Sequence, residues 1–170
     1  MNIFITGGAG YIGSATAAAL IQAGHSVTIY DSLVTGHPAA IPAEATFIHA
    51  DLGDQGALQA ALTGQSFDAI LHFAAFIEAG ESMKNPGKYF HNNVIHSMRL
   101  IEAAQQAGIR RFVLSSTAAV YQTSDEPLTE DSPIEPQNVY GHNKLMVEQT
   151  LAWYRRVHGL HFAALRYFNA

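Results

Sequence analysis

The chain has 170 residues, 48% of them hydrophobic and 14% charged, with a formal net charge of −5 at pH 7. That composition supports one sizeable buried core and argues against a disordered or low-complexity chain. No basic cluster exceeds Arg110-Arg111 or Arg155-Arg156, so no nucleic-acid partner is expected, and the lack of cysteine excludes disulfides, thiolate metal sites and cysteine nucleophiles.

Asn2-Ile3-Phe4-Ile5-Thr6 is a short apolar, β-branched run that predicts a first strand, Gly7-Gly8-Ala9-Gly10 interrupts it, and Tyr11 to Leu20 predicts a helix. A strand feeding a helix through glycines can hold a dinucleotide pyrophosphate. Glycine permits the turn and the close approach of backbone N–H groups, while the helix start offers unpaired donors and a positive dipole end. Two registers fit, Gly8-x-Gly10-x-x-Gly13 and Gly7-x-x-Gly10-x-x-Gly13, and Tyr11 and Ile12 join the glycines as candidate cofactor contacts. The same glycines would also serve plain chain reversal, so the motif needs context.

That context follows. Ser26-Val27-Thr28-Ile29-Tyr30 predicts a second strand ending at Asp31, about 20 residues on, where a dinucleotide site places a carboxylate for the adenosine ribose hydroxyls. A carboxylate there repels a 2′-phosphate and favours NAD over NADP; a simple turn is the plainer role for Asp31. A third strand, Thr46 to His49, leads to Asp51 and Leu52, candidates for the adenine edge, with Asp51 equally suited to capping a helix.

Further along, Asp68 to Phe73 predicts a fourth strand, about Gly87 to Ala107 a long helix stopped by Gly108, and Phe112 to Ser116 a fifth strand. A helix over 139–158 and a sixth strand, His161 to Arg166, complete the pattern. The alternation predicts an α/β fold: a Rossmann-type doubly wound parallel sheet with helices on both faces, three layers αβα, one domain over residues 1–170. Thr35 to Pro42 and Asp125 to Pro136 read as loops, the second polar enough for an exposed flap beside the site. No charged leader precedes the first strand and no apolar run reaches membrane-spanning length, so a soluble, cytoplasmic protein is expected. The histidines are scattered without a His-Glu-x-x-His pattern, and no metal site is expected.

Tyr140 and Lys144 fall at i and i+4 on the last helix, so the ammonium is expected to favour the phenolate of a side chain whose free pKa is about 10. Such pairs are common on solvated helix faces; the position after the fifth strand of a dinucleotide fold points instead to proton transfer. Thr117 adds a hydroxyl at the C-terminal end of that strand, where open α/β sheets bind their ligands.

Thr6-Gly7-Gly8-Ala9-Gly10-Tyr11-Ile12-Gly13, His72-Phe73-Ala74-Ala75, Gly80-Glu81-Ser82, Asn92-Asn93-Val94, Ser115-Ser116-Thr117-Ala118-Ala119-Val120-Tyr121, Tyr140-Gly141-x-x-Lys144-Leu145-Met146-Val147-Glu148 and Leu165-Arg166-Tyr167-Phe168-Asn169 follow in order. Together they resemble the extended short-chain dehydrogenase/reductases, the NAD-dependent epimerase/dehydratase family, and within it the nucleotide-sugar 4-epimerases. The resemblance covers nearly the whole chain. It implies NAD as cofactor and a UDP-hexose substrate interconverted through a 4-keto sugar. It also implies Tyr140 as base, Lys144 as its partner and a ligand of the nicotinamide ribose, and Thr117 as the hydroxyl bridging phenol and sugar. Phe73, Ala74, Ala75, Asn92, Ser115 and Phe168 are implied as further cofactor contacts, Asn169 as a contact to the substrate diphosphate, and the long helices as a homodimer surface.

Two departures stand out. Phe76-Ile77-Glu78 occupies a segment where such proteins often carry a lysine directed at the cofactor. Family members are also about twice as long, as when a second, substrate-binding domain is present. The expectation is therefore an N-terminal part, lacking the C-terminal substrate domain, that binds NAD with little turnover alone. Ala118-Ala119 stand where dehydratases carry Asp-Glu, which disfavours dehydration; another nucleotide-sugar epimerase, a ketoreductase or a non-catalytic NAD-binding module are the alternatives.

Overall fold

Strand β1 (Asn2–Thr6) is buried from Ile3 to Thr6 because helices cover both of its faces, which is why it reads as an unbroken apolar run. The computed structural model describes residues 1–168. After β1 come α1 (Tyr11–Gln22), β2 (Ser26–Asp31), β3 (Thr46–His49), α2 (Gln55–Leu62), β4 (Ala69–His72), α3 (Ala79–Lys84), α4 (Pro86–Tyr89), α5 (His96–Gln106), β5 (Arg111–Thr117), α6 (Val139–His158) and β6 (His161–Tyr167). All neighbouring strands pair in parallel in the order β3-β2-β1-β4-β5-β6. The doubly wound α/β sheet expected from the sequence is thus present. Its order reverses between β1 and β4, and there the diverging loops open a crevice beyond the strand ends.

Alternation along the strands feeds two cores. Phe4, Ile70, Phe112 and Leu114 pack with Leu58 and Leu62 of α2, Leu100 and Ile101 of α5, and Val147 and Leu151 of α6. Ile3, Ile5, Val27 and Ile29 pack on the other face with Ala17 of α1. Phe4 anchors the first core through an edge contact to Phe67 at 5.1 Å and a tilted one to Tyr30 at 5.7 Å between ring centres.

Three local features differ from the sequence reading. The helix expected over about 87–107 is not regular: between α4 and α5, Phe90–Ile95 forms a π-helical turn, a form that concentrates at functional sites. Two short helices, α2 and α3, were given no bounds from the sequence; the cap of α2 is Asp54, whose carboxylate accepts the Ala57 N–H at 2.9 Å, and not Asp51. The polar segment over 125–136 is tied back by a bridge between Tyr121 and Ile134, and none of its residues lines the crevice, so it is not a flap beside the site.

Candidate active site

The glycine turn resolves into one of its two registers. Gly7 has φ +73°, and a Cβ there would lie 2.4 Å from the Ala74 nitrogen. A Cβ on Gly13 would lie 2.2 Å from the Gly7 carbonyl oxygen. Gly7, Gly10 and Gly13 line a cleft of about 800 Å³, whereas Gly8 packs against Ile29 behind it. The operative spacing is therefore Gly7-x-x-Gly10-x-x-Gly13. Gly10 is the N-cap of α1 and has no side chain to offer, so the N–H groups of Tyr11, Ile12 and Gly13 in the first turn have no helical acceptor and head the cleft.

Asp31 makes the turn contacts of its plainer reading and also reaches the cleft. It is 9% exposed, its Oδ2 accepts the Ala9 N–H at 2.9 Å and its Oδ1 accepts the Leu33 N–H at 2.8 Å. It therefore braces the glycine turn and also forms part of the cleft wall. Asp51 caps its own turn through the Gly53 N–H at 2.7 Å and shares the wall with Leu52.

The opposite wall, Phe73 to Ile77, is held from behind by residues the sequence reading passed over. Phe73 and Ala74 donate their N–H groups to the Thr6 carbonyl at 2.9 and 3.1 Å. Asn93, only 2% exposed, accepts the Phe76 N–H at 2.9 Å and donates its amide to the Phe76 carbonyl at 2.8 Å. The Ser97 hydroxyl donates to the Asn93 carbonyl, so at the 2.7 Å contact with His72 it accepts the Nε2–H. Nδ1 of His72 is then bare and accepts the Thr6 hydroxyl at 2.6 Å. Burial, reinforced by the charge of Lys144, lowers the His72 pKa to about 3, so this chain of hydrogen bonds runs through a neutral ring. The doublet Asn92-Asn93 was the available signal: the π turn puts Asn92 on the cleft wall and Asn93 beneath it.

The start of α6 is fixed on three sides. Asn138 caps it by accepting the Gly141 N–H at 2.8 Å, and the buried Ser82 hydroxyl accepts the Tyr140 N–H at 3.2 Å. Gly141 lets the helix approach the turn after β5 so closely that a Cβ would lie 2.3 Å from the Ala119 carbonyl oxygen. This brings Tyr140 into the cleft with Ser115, Ser116 and Thr117 from the end of β5. Oγ1 of Thr117 accepts the Ala119 N–H at 3.1 Å, which leaves its proton free to donate.

The expected effect of Lys144 on the phenol is not what the structure shows. Burial raises the Tyr140 pKa, opposed by the Thr117 hydroxyl and not by Lys144. Lys144 is 3% exposed and donates from Nζ to the Ser115 carbonyl at 2.8 Å, behind the cleft wall. Spacing i, i+4 puts both side chains on one face but does not decide where the longer one points.

Burial of the ammonium lowers the Lys144 pKa to about 8. Because this folded-state value lies below the unfolded one, the charge opposes folding at pH 7, and the cost is relieved as pH rises from about 8 to 10.5. Lys144→Met is accordingly expected to stabilise the chain at pH 7, by on the order of 1 kcal/mol after the lost hydrogen bond is subtracted. Urea midpoints should show that advantage shrinking toward pH 10; a destabilised variant at pH 7 would contradict it.

Tyr167 and the exposed Phe168 complete the cleft rim, and Asn169 lies outside the described residues. Among the described residues no group of three histidine, aspartate or glutamate side chains could hold a metal ion, and no helix is long and apolar enough to cross a membrane.

Known proteins are similar to this chain in sequence and in fold. Residues 3–170 match the profile of the NAD dependent epimerase/dehydratase family. The chain is 42% identical over 170 residues to the UDP-glucose 4-epimerase of Corynebacterium glutamicum, covering 99% of this chain and 51% of that protein. It is 45% identical to that of Lacticaseibacillus casei, again with 99% and 51% covered. Among solved structures, the UDP-glucose 4-epimerase of Brucella ovis in complex with NAD superposes with a TM-score of 0.95 at 38% identity, covering 99% of this chain and 52% of that one. The Thermotoga maritima UDP-glucose 4-epimerase with UDP-glucose gives 0.93 at 29%, covering 98% and 55%. The chain thus spans about half the length of the curated relatives it matches. With the glycine cradle, the strand order and the Tyr140–Thr117 corner all in place over that span, the chain belongs to the NAD-dependent epimerase/dehydratase family.

Proposed function

We propose that this chain is the NAD-binding part of a UDP-glucose 4-epimerase, with the Gly7–Gly13 cradle as the observation that carries the reading. The fit to the cofactor is steric as well as electrostatic: two positions where any Cβ would strike backbone border a helix start whose N–H groups lack acceptors. Gly7, Gly10, Tyr11, Ile12 and Gly13 would hold the pyrophosphate, and Asp31 the adenosine ribose. Asp51 and Leu52 would flank the adenine, and Phe73, Ala74, Ala75, Asn92, Ser115 and Phe168 would line the remainder. Bound there, NAD supplies a reversible hydride acceptor for C4 of the sugar.

The residues of the chain do the proton chemistry. Tyr140 takes the proton of the sugar 4-hydroxyl and returns it, and Thr117, its hydroxyl proton uncommitted, orients phenol and sugar oxygen together. Lys144 is already anchored on Ser115, one residue short of Ser116 and two short of Thr117, so its charge lies beneath the reacting corner, and as ribose ligand it would use one of the two N–H donors that this carbonyl leaves over. Asn169 is assigned to the substrate diphosphate. The same reading takes a UDP-hexose as substrate, supported by the Thermotoga relative with UDP-glucose, and a homodimer through α5 and α6, supported by exposed Met98, Trp153 and Val157.

Native mass spectrometry tests the reading in one experiment. The expected species is a dimer carrying one NAD per chain, with NADP binding at least about tenfold weaker because Asp31 repels its 2′-phosphate. Equal retention of NADP would overturn the ribose assignment, and absence of any dinucleotide would overturn the reading itself.

A further inference from the structure

In the β5–β6 pair Ser116 stands opposite Arg166, so both side chains project from the same face of the sheet, the one covered by α6. Glu148 of α6 reaches both. Its Oε1 accepts the Ser116 hydroxyl and, at 3.1 Å, the Arg166 Nε–H, and its Oε2 accepts an Arg166 terminal N–H at 2.7 Å. The other terminal nitrogen of Arg166 donates to the Tyr121 hydroxyl at 2.8 Å, and the guanidinium lies 4.8 Å from the centre of the Tyr121 ring. Glu148 is 8% exposed and Ser116 is 2% exposed.

A buried ion pair of this kind adds little net stability over apolar side chains of the same volume. What a forked guanidinium on a carboxylate does supply is fixed geometry. Here the geometry sits beside the reacting corner. Glu148 lies one turn beyond Lys144 and two beyond Tyr140 on the same helix. Ser116 lies between Ser115, whose carbonyl holds Lys144, and Thr117, whose hydroxyl bears on Tyr140. Ser116, Thr117 and Tyr140 all border the cleft, whereas Glu148 and Arg166 do not touch it.

We propose that Ser116, Glu148, Arg166 and Tyr121 form a positioning network that sets the axial placement of α6 against β5 and so holds Tyr140 opposite Thr117 at the cleft. The network acts at the point where four pieces of chain meet: the end of β5, the third turn of α6, β6, and the base of the segment that follows Tyr121. A slip of the helix by a fraction of a turn would leave the hydrophobic packing of Val147 and Leu151 serviceable, while moving Tyr140 away from its partner.

This inference rests on the reading that the cleft takes NAD, and NAD binding by the unsubstituted chain tests that reading separately. Two variants are compared with it for NAD affinity by calorimetry, for thermal midpoint and for the rate at which a UDP-hexose reduces the bound cofactor. Ser116→Ala keeps the ion pair but unhooks it from β5; its midpoint and its Kd for NAD are expected to change little while the reduction rate falls on the order of tenfold. The double variant Glu148→Leu with Arg166→Met removes both charges and restores an apolar contact; its midpoint is expected to match the unsubstituted chain, with reduction as slow as in Ser116→Ala. An unchanged reduction rate in Ser116→Ala would overturn the proposal, as would recovery of rate together with midpoint in the double variant. Should the double variant not fold, Ser116→Ala alone decides.

Discussion

Gly13→Ala is expected to abolish measurable NAD binding and to lower stability by about 1–3 kcal/mol. The added Cβ would meet the Gly7 carbonyl oxygen at 2.2 Å and the Gly8 Cα at 2.9 Å, both main-chain atoms that cannot rotate aside. Relief requires α1 to move away from β1, and that shift displaces the Tyr11, Ile12 and Gly13 N–H groups together. The three donors then no longer converge on one anion position. Gly10→Ala is the matched control for stability alone, since its Cβ would stand 3.4 Å from the same carbonyl, an acceptable contact for the fold, while the residue itself lines the cleft. Calorimetric titration with NAD and thermal melts of the two variants give the comparison. If Gly13→Ala binds like the unsubstituted chain, the cradle is not where the pyrophosphate sits.

Tyr140→Phe is expected to leave NAD affinity within about twofold and to slow UDP-hexose-driven reduction of the bound cofactor on the order of 1,000-fold. The phenyl ring keeps the packing of the first turn of α6, whose fixing by Asn138 and Ser82 uses backbone groups only. What is lost is the one hydroxyl that can carry the 4-hydroxyl proton. Burial holds the Tyr140 pKa above its ordinary value, so the unsubstituted protein should also reduce the cofactor faster as pH rises toward the phenol's ionisation. Single-turnover absorbance on NAD-loaded protein at a series of pH values reads both effects. Retention of the rate and the pH limb in Tyr140→Phe would move the base elsewhere.

The central strands β1 and β4 were legible because each is a continuous apolar run, the pattern that a parallel sheet covered on both faces imposes. Gly7, Gly10, Gly13, Asp31, Thr117 and Tyr140 were legible from residue type and spacing, and the structure brings them to one cleft. Which glycine register operates was not legible, since Gly7 and Gly8 differ only in what lies behind them, Ala74 for one and Ile29 for the other. The course of Lys144 was hidden because its acceptor is a carbonyl, a group every residue carries. The support of the far wall was hidden by distance: Thr6 and His72 are 66 residues apart and His72 and Ser97 are 25 apart, and nothing local marks them as partners. Glu148 and Arg166 are likewise ordinary charged residues until β6 is laid beside β5.

The π turn at Phe90–Ile95 has a consequence for how the chain tolerates changes in length. Such a turn holds one residue more than a regular helix would need for the same hydrogen-bonded span. Deleting a single residue there would let the helix regularise, and everything on its N-terminal side would swing by about 100° relative to α5. Asn92 would leave the cleft and Asn93 would release Phe76, although α5 itself could stay docked in the core. Elsewhere a surface helix can lose a residue at its tip with little harm; here the surplus residue is the hinge pin of the cofactor wall.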